Sequence, residues 1–273
     1  MDKKATLNNA KQGDINAFND LFKEFEKPLK SYLYRLLTNR EDVEDFYHNT
    51  FIKCFDNIKS FKGEPLQIKS WVFTIATRLS YNHLKREKIW ATNAQDVCRD
   101  SLVNNLEYQK QFMEKVVQSE HNLYEIREHI DFCFTCISKT LSIEQQVALL
   151  LKDVYHFKTR EVAGIMEKTL GQVKHHLMDA RKTMTTIFEG RCSFINKNGT
   201  CYQCTELQGI FNPKSNMHRE MMKIKMIEDA ENLSKNELFK LRQKIVDSVN
   251  PVDNSGMDLH DHLMQHMKRV NNL

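Results

Sequence analysis

Apolar residues recur at intervals of three and four near the start of the chain, and this spacing is the strongest constraint on the fold. An α-helix turns once in about 3.6 residues, so side chains spaced in this way share one face. The stripe runs through Phe18, Leu21, Phe22, Phe25, Leu29, Tyr32, Leu33, Leu36 and Leu37. Pro28 lacks a backbone N–H and predicts a kink or a break within the stripe. The segment is therefore predicted to be helical, with one buried face.

Two further helices are predicted after this stripe. Asn39 is suited to cap the second one, and Glu41 and Asp42 fall in its first turn, where negative charge favours the helix dipole. Its predicted buried residues are Val43, Phe46, Tyr47, Phe51, Cys54, Phe55 and Ile58. The third helix begins near Ile68, and its predicted inward residues are Trp71, Val72, Ile75, Ala76 and Leu79. Its predicted outward face mixes aromatic and basic groups: Phe73, Arg78, Tyr81, Asn82, Lys85, Arg86 and Lys88.

A helix-turn-helix pattern stands in the middle of the chain. Thr159 can cap the helix REVAGIMEK, and Thr169 with Gln172 three residues later can form a capping box for the next helix. Ala163 is small enough for the two helices to cross closely. Two short helices joined by a tight turn are typical of DNA-binding domains.

The composition favours an all-α fold, because only 8 Gly and 4 Pro occur in 273 residues. The polar stretch 91–125 has no strong apolar period and is interpreted as a linker. We predict helical domains at 10–90 and 126–190 on either side of it. A Cys-containing extension at 191–273 follows, with helices predicted from Met221 to Val249 and from Met257 to Val270.

Three strings of the sequence resemble the two conserved blocks of extracytoplasmic-function (ECF) sigma factors. They are DVEDFYHNTFIKCFDNI, SWVFTIATRLSYNHLKRE and LSIEQQVALLLKDVYHFKTREVAGIMEKTLGQVKHHLMDARKTM. The resemblance implies a region 2-like bundle and a region 4-like helix-turn-helix domain. It also implies a protein that binds RNA polymerase core and directs it to promoter DNA, without catalysing a reaction. An anti-sigma factor is a further partner that the resemblance leaves open.

The resemblance implies a role for the acidic face of the second helix in polymerase binding. That face offers Asp42, Glu44, Asp45 and His48. The family usually has Gln where this chain has His48. The alternative interpretation is an acidic helix face that is simply solvated.

The third helix and the SFKGEP loop before it resemble the element that melts and reads the minus-ten region. Phe73 and Tyr81 are predicted to stack on bases of the displaced strand, and such stacking is worth roughly 1–3 kcal/mol per base. The other residues assigned to this DNA are Lys62, Lys69, Arg78, Asn82, Lys85 and Arg86. Trp71 lies on the apolar stripe and is interpreted as a core residue, which is also the alternative for Phe73.

The helix from Gln172 to Met184 resembles the recognition helix for the minus-thirty-five element. The residues assigned to DNA are Thr169, Gln172, Lys174, His175, His176 and Arg181, with Arg181 either near phosphates or packed internally. Val173 and Leu177 are predicted to hold the helix to its domain. Asp179 departs from the family, which usually has a basic residue there.

Cys192, Cys201 and Cys204 are the candidate metal ligands. Zinc or another soft metal is one hypothesis for them, and a reversible dithiol switch is the other. A closed zinc site needs four ligands, and the candidates for the fourth are His218, His175, His176, Cys133 and Cys136. The CxxC of FCFTCI lies in an apolar helix, so buried core packing is the preferred interpretation of Cys133 and Cys136. No obligatory cofactor is predicted.

The remaining sequence features exclude other classes of protein. The N-terminus lacks the apolar core of a signal peptide, and the longest apolar run, Val147 to Leu151, is too short to span a bilayer, so a cytoplasmic protein is predicted. A net charge of +4 means that a nucleic-acid surface must be a local patch. A helix-turn-helix regulator that acts without polymerase is the alternative function. A thiol or zinc enzyme ranks last, because no HExxH motif or phosphate-binding loop is present.

Overall fold

A computed structural model describes residues 2–118, 124–253 and 257–273. Within these ranges the regular structure is helical, apart from one isolated bridge between Cys192 and Cys201, and the predicted all-α class is confirmed. The chain forms two compact units. Unit 1 contains Met1–Glu87 and Ile143–Leu177, and unit 2 contains Lys88–Ser142 and Met178–Leu273.

The helices run in chain order through both units. They are α1 (Lys3–Lys11), α2 (Ile15–Lys23), α3 (Glu26–Leu37), α4 (Arg40–Asn57), α5 (Ile68–Leu84), α6 (Ala94–Asn104), α7 (Leu106–Gln118), α8 (Ile126–Ser138), α9 (Ile143–Leu149), α10 (Thr159–Met166), α11 (Leu170–Arg191), α12 (Gln203–Phe211), α13 (Met217–Met222), α14 (Lys225–Glu228), α15 (Lys235–Ser248) and α16 (Met257–Val270). A π-helical turn (Leu150–Val154) extends α9.

Side-chain caps set the first helix boundaries in unit 1. The Asn39 carboxamide oxygen accepts hydrogen bonds from the Glu41 amide at 2.8 Å and the Asp42 amide at 3.3 Å, which confirms the predicted cap of α4.

The break predicted at Pro28 is also confirmed, because α2 ends at Lys23 and Pro28 falls in the first turn of α3. A residue without an N–H is tolerated there, since the first amides of a helix have no partner within it.

Aromatic packing holds α2 against α4 in unit 1. The Phe18 ring centroid lies 5.1 Å from that of Phe51 and 5.3 Å from that of Phe55, in edge-to-face geometry. Phe22 contacts Phe51 in the same way at 5.1 Å. Such aromatic pairs contribute about 0.5–1.5 kcal/mol beyond their buried area. The apolar stripe that begins at Phe18 is therefore the inner face of this bundle.

The helix-turn-helix consists of α10 and α11. The Gln172 amide donates to the Thr169 hydroxyl at 3.2 Å, and the Thr169 amide donates to the Gln172 side chain at 2.9 Å, so the predicted capping box is confirmed. Glu167 closes α10 in the left-handed region with φ of 53°. The predicted cap of α10 is wrong by one residue, because Thr159 is already helical and Lys158 occupies the cap position.

Unit 2 has α8 as its central helix. Phe134, Cys136 and Ile137 of α8 are buried, and α12, α15 and α16 all contact this helix. The segment between the two predicted domains is largely helical, since α6 and α7 occupy it, and α6 contacts α16. The C-terminal extension thus shares a core with the residues that precede α9.

The extension is more broken than its sequence pattern predicts. A single helix from Met221 to Val249 is wrong, because the segment holds the end of α13, α14, a short 3₁₀ turn and α15. Ser234 explains why a new helix begins within this segment. Its hydroxyl accepts a hydrogen bond from the Glu237 amide in the capping box at the start of α15. The predicted helix from Met257 to Val270 is confirmed as α16. In the ranges that the structure describes, no helix has both the length and the apolar composition needed to cross a membrane.

Candidate nucleic-acid interface

Phe73 on α5 is fully buried in unit 1, so its predicted outward position is wrong. Its ring centroid lies 5.2 Å from that of Tyr32, 5.8 Å from that of Tyr155 and 5.0 Å from that of Phe157. We refer to these four side chains as the aromatic cluster. Tyr155 and Phe157 belong to the segment that enters the helix-turn-helix. With the cluster closed, Phe73 has no face available for a DNA base.

Trp71 differs from its prediction in the opposite sense. It is half-buried rather than part of the core, and it packs against Phe61 with 5.2 Å between ring centroids. Phe61 lies in the SFKGEP loop before α5. Within α5, the inner and outer positions of these two aromatic residues are thus exchanged relative to the apolar pattern.

Two other candidate DNA-binding residues of α5 are held by carboxylates of the helix-turn-helix region. Tyr81 donates a hydrogen bond from its hydroxyl to Glu144 on α9, and Arg78 forms an ion pair with Glu167 at the end of α10. Burial, followed by the Glu144 carboxylate, raises the pKa of Tyr81 to about 12. Burial opposes ionisation of Glu144, but the hydrogen bond from Tyr81 and nearby positive charge hold its pKa below the usual value. These acids therefore occupy two of the polar groups that α5 would offer to DNA, the Tyr81 hydroxyl and the Arg78 guanidinium.

An open groove of about 450 Å³ lies between α5 and the helix-turn-helix region in unit 1. One wall carries Arg78, Tyr81, Asn82 and Lys85, and the other carries Glu144, Met166, Glu167 and Lys168. The α5 wall therefore collects four of the predicted minus-ten residues at one place. The opposite wall supplies acidic groups, which a nucleic-acid strand would have to displace.

The other predicted minus-ten residues are basic and mostly exposed. Lys62, Lys85 and Arg86 are exposed, and the Lys85 ammonium lies 4.8 Å from the Tyr81 ring centroid. Lys69 is half-buried, with its ammonium 4.8 Å from the Phe157 ring centroid. Burial lowers the pKa of Lys69, and the Glu161 carboxylate opposes that effect.

The N-terminal turns of α11 present the predicted minus-thirty-five residues. Exposed or half-exposed side chains there are Thr169, Gln172, Lys174, His175 and His176, and Arg181 is exposed further along. Val173 and Leu177 are buried, as predicted, so they anchor the helix to unit 1. This arrangement leaves polar groups on the outer side of the helix terminus, where a recognition helix contacts base edges.

The predicted polymerase-binding residues lie on α4. Glu44, Asp45 and His48 are exposed and Asp42 is half-exposed. The Glu44 carboxylate forms an ion pair with Lys30 at 2.8 Å, and this ion pair keeps the pKa of Lys30 above its usual value although burial opposes it. Asp45 has a position on the surface that a partner protein can reach.

The three candidate metal ligands lie together in unit 2. Cys192, Cys201 and Cys204 line one small cavity, and Cys133 of α8 lines it as well. Desolvation raises the pKa of Cys192 to about 12 and that of Cys201 to about 11. Among the side chains that the structure describes, no three Cys, His or acidic groups form a metal-ligand arrangement. Of the other proposed fourth ligands, Cys136 is buried and His218 is exposed.

Comparison with known proteins places both helical blocks in one family. Residues 21–89 match the model of Sigma-70 region 2, and residues 132–184 match that of Sigma-70, region 4. The chain therefore belongs to the sigma-70 family of sigma factors, which direct RNA polymerase in transcription initiation.

Similar proteins specify the group within this family. The chain is 22% identical over 166 residues to the RNA polymerase sigma factor YlaC of Bacillus subtilis, covering 61% of this chain and 88% of that protein. It is 25% identical over 191 residues to an ECF RNA polymerase sigma-E factor of Haemophilus influenzae, covering 65% and 90%. A third relative, the ECF sigma factor SigW of Bacillus subtilis, is 29% identical over 85 residues, covering 31% and 45%. The chain is an ECF sigma factor.

Several residues that shape the site were missed in the sequence. Glu144, Glu167, Tyr155 and Phe157 had no assigned role, although all four lie on the surface or in the core that meets α5. Their positions depend on a contact between segments more than sixty residues apart, as the separation of 63 between Tyr81 and Glu144 illustrates. The only available signal was the presence of two acids and two aromatics around a helix-turn-helix pattern.

Neutralising the acidic wall of the groove should strengthen DNA binding by the free protein. We expect the double variant Glu144→Gln/Glu167→Gln to bind a single-stranded minus-ten oligonucleotide about two- to fivefold more tightly, because an exposed ion pair is worth only about 0–1 kcal/mol. Fluorescence anisotropy measures the affinity. The control Glu107→Gln/Glu114→Gln removes two exposed negative charges of α7 and should change the affinity little. Equal affinities for the wild type, the groove variant and this control would contradict the role of the acidic wall.

Proposed function

We propose that this sigma factor binds core polymerase through the acidic face of α4 and promoter DNA through α5 and the N-terminal turns of α11. The observation that supports the proposal is the co-occurrence of regions 2 and 4 in one chain, with polar candidate residues on the outer sides of α4 and α11. The protein would act in the cytoplasm as an adaptor, without a catalytic step of its own. An anti-sigma factor that competes with polymerase for these surfaces is a compatible partner.

Use of α5 requires the aromatic cluster to open. Burying a Phe side chain is worth about 1.5–3 kcal/mol, which is similar to the roughly 1–3 kcal/mol gained by stacking on one base. Exchanging one contact for the other therefore yields little net free energy. We propose that polymerase binding supplies the free energy needed to separate the helix-turn-helix from α5. This separation exposes Phe73 and releases Tyr81 and Arg78 from their acidic partners.

The recognition helix supplies the upstream contact in this proposal. Gln172 already donates and accepts hydrogen bonds in the capping box with Thr169, so the turn before α11 is held rigid. Lys174 and His175 lie on the exposed side of the first turns. A basic residue at this place can donate to a guanine edge or to a phosphate, and the two contacts differ in their dependence on salt.

The rival function is a helix-turn-helix regulator that binds DNA without polymerase. It accounts for α10 and α11 but assigns no role to the acidic face of α4. Pull-down of core polymerase with the purified chain separates the two functions. Retention of stoichiometric core supports the sigma factor, and DNA binding without retention of core supports the regulator.

Reversing the charge of Asp45 should weaken the polymerase interface. We expect Asp45→Lys to reduce affinity for core polymerase at least about tenfold, since charge reversal replaces an attraction with a repulsion at the same place. Surface plasmon resonance with immobilised core measures the affinity, and circular dichroism checks that helix content is retained. The control Asp20→Lys reverses an exposed charge on α2 and should bind normally. An unchanged affinity for Asp45→Lys would remove this residue from the interface.

Replacing Lys174 should reveal how α11 contacts upstream DNA. If Lys174 contacts phosphate, we expect Lys174→Ala to weaken binding to all sequences and to lower the salt slope of log K by about one unit. If it reads a base, the loss should be about 1–3 kcal/mol at one position only. Binding of holoenzyme to promoter fragments over a salt series distinguishes the two. The control is Lys182→Ala, eight residues later on α11; a loss equal to that of Lys174→Ala would mean that the helix terminus has no special role.

A further inference from the structure

Arg242 on α15 is a buried cation with incomplete pairing. Its side chain is fully buried in unit 2, and its guanidinium carbon lies 3.8 Å from the Phe188 ring centroid. The Nη2 atom points to the Cys133 sulfur at 3.8 Å, whereas Nε and Nη1 have no hydrogen-bond partner. Asp131 offers some negative charge nearby. A buried guanidinium destabilises the folded state unless its charge is neutralised and its N–H donors are hydrogen-bonded. We therefore expect a further anionic group at this site.

Four thiols converge beside Arg242. Cys133 lies on α8, Cys192 directly follows α11, and Cys204 lies in the first turn of α12. The backbones of Cys192 and Cys201 pair in an isolated β-bridge. In it, the Cys201 amide donates to the Arg191 carbonyl at 2.8 Å and the Ser193 amide donates to the Cys201 carbonyl at 3.2 Å. These four cysteines, together with the buried Cys136 of α8, line a cavity of about 40 Å³, which is large enough for one small ion or water molecule.

Backbone amides lie beside two of these sulfurs. The Phe194 amide donates toward the Cys192 sulfur, and the Gln203 amide donates toward the Cys201 sulfur, each from two residues further along the chain. Hydrogen bonds to a thiolate stabilise it relative to the thiol.

We propose that Cys133, Cys192, Cys201 and Cys204 bind one Zn²⁺ ion, with Arg242 as the neighbouring counter-charge. Four thiolates around Zn²⁺ carry a net charge of about −2 by formal charge addition, which is opposite in sign to the charge of the buried guanidinium. Cys133 thereby becomes the fourth ligand of the site, in place of the core-packing role assigned to it from sequence. The ion would join α8, the end of α11 and the start of α12.

Metal binding requires the four cysteine side chains to change their conformations. In the part of the chain that the structure describes, the sulfurs share a cavity but do not surround one point at ligand distance. A cysteine has one side-chain torsion, and its rotation redirects the sulfur without moving the backbone. The competing outcome is a disulfide between Cys192 and Cys201, which would form with loss of two electrons to an oxidant such as a peroxide and would leave Cys133 unused.

Metal analysis of the full-length, fully reduced chain tests the site. We expect one equivalent of Zn²⁺ after gel filtration, and the intense d–d absorption of tetrahedral thiolate coordination when Co²⁺ replaces it. Cys133→Ser and Cys204→Ser should each weaken zinc affinity more than about tenfold. The control Cys98→Ser removes a buried thiol of α6 outside the cavity and should keep one equivalent.

One further variant and one measurement on the wild-type chain keep the proposal testable if a ligand variant fails to fold. Arg242→Gln should retain one equivalent of zinc but bind it about 10- to 100-fold more weakly, as expected for a group that supports the ligands. Alkylation of the native wild-type chain should be slowed by Zn²⁺ at the four thiols and not at Cys54 or Cys98. Absence of bound zinc in the folded, reduced protein, or full zinc affinity in Cys133→Ser, would overturn the proposal. Polymerase pull-down is independent of these measurements.

Discussion

The packing of Tyr155 and Phe157 against Phe73 is the contact on which the proposed function of unit 1 depends. Burial of the Phe73 ring joins α5 to the segment that leads into the helix-turn-helix, and Tyr32 of α3 completes the cluster. Arg35, itself buried, donates to the Tyr155 hydroxyl at 2.7 Å and so ties the cluster to α3. Hydrophobic burial supplies most of the stabilisation, because the exposed Arg78–Glu167 ion pair contributes at most about 1 kcal/mol.

Under the proposed function, this packing leaves the DNA-binding face assigned to α5 already occupied in the free protein. The Glu167 carboxylate is paired with Arg78, and the Tyr81 hydroxyl is bound to Glu144. The same chain can therefore be stable when free and competent when bound, provided that polymerase shifts the balance between two packings. A ligand shifts such a balance only by its difference in affinity for the two states.

Local patterns in the sequence predicted the elements well, whereas contacts between distant segments could not be predicted. The cap at Asn39, the break at Pro28 and the Thr169–Gln172 box depend on residues within a few positions of each other. The burial of Phe73 depends on Phe157, and the position of Cys133 near Cys204 depends on how α8 packs with the extension. The apolar period also ranked Trp71 and Phe73 in the wrong order. Two residues apart on a helix, they lie on nearly opposite faces, and the packing of Tyr155 and Phe157 buries the face that the local pattern left outward.

Opening of the aromatic cluster on polymerase binding is the central claim, and a distance measurement tests it most directly. Spin labels introduced at exposed Asn82 on α5 and exposed Arg160 on α10, through unnatural amino acids that leave the native cysteines intact, report this separation by double electron–electron resonance. A single short distance is expected in the free chain, with a longer distance after saturation with core polymerase. An unchanged distance in a fully formed complex would contradict the claim.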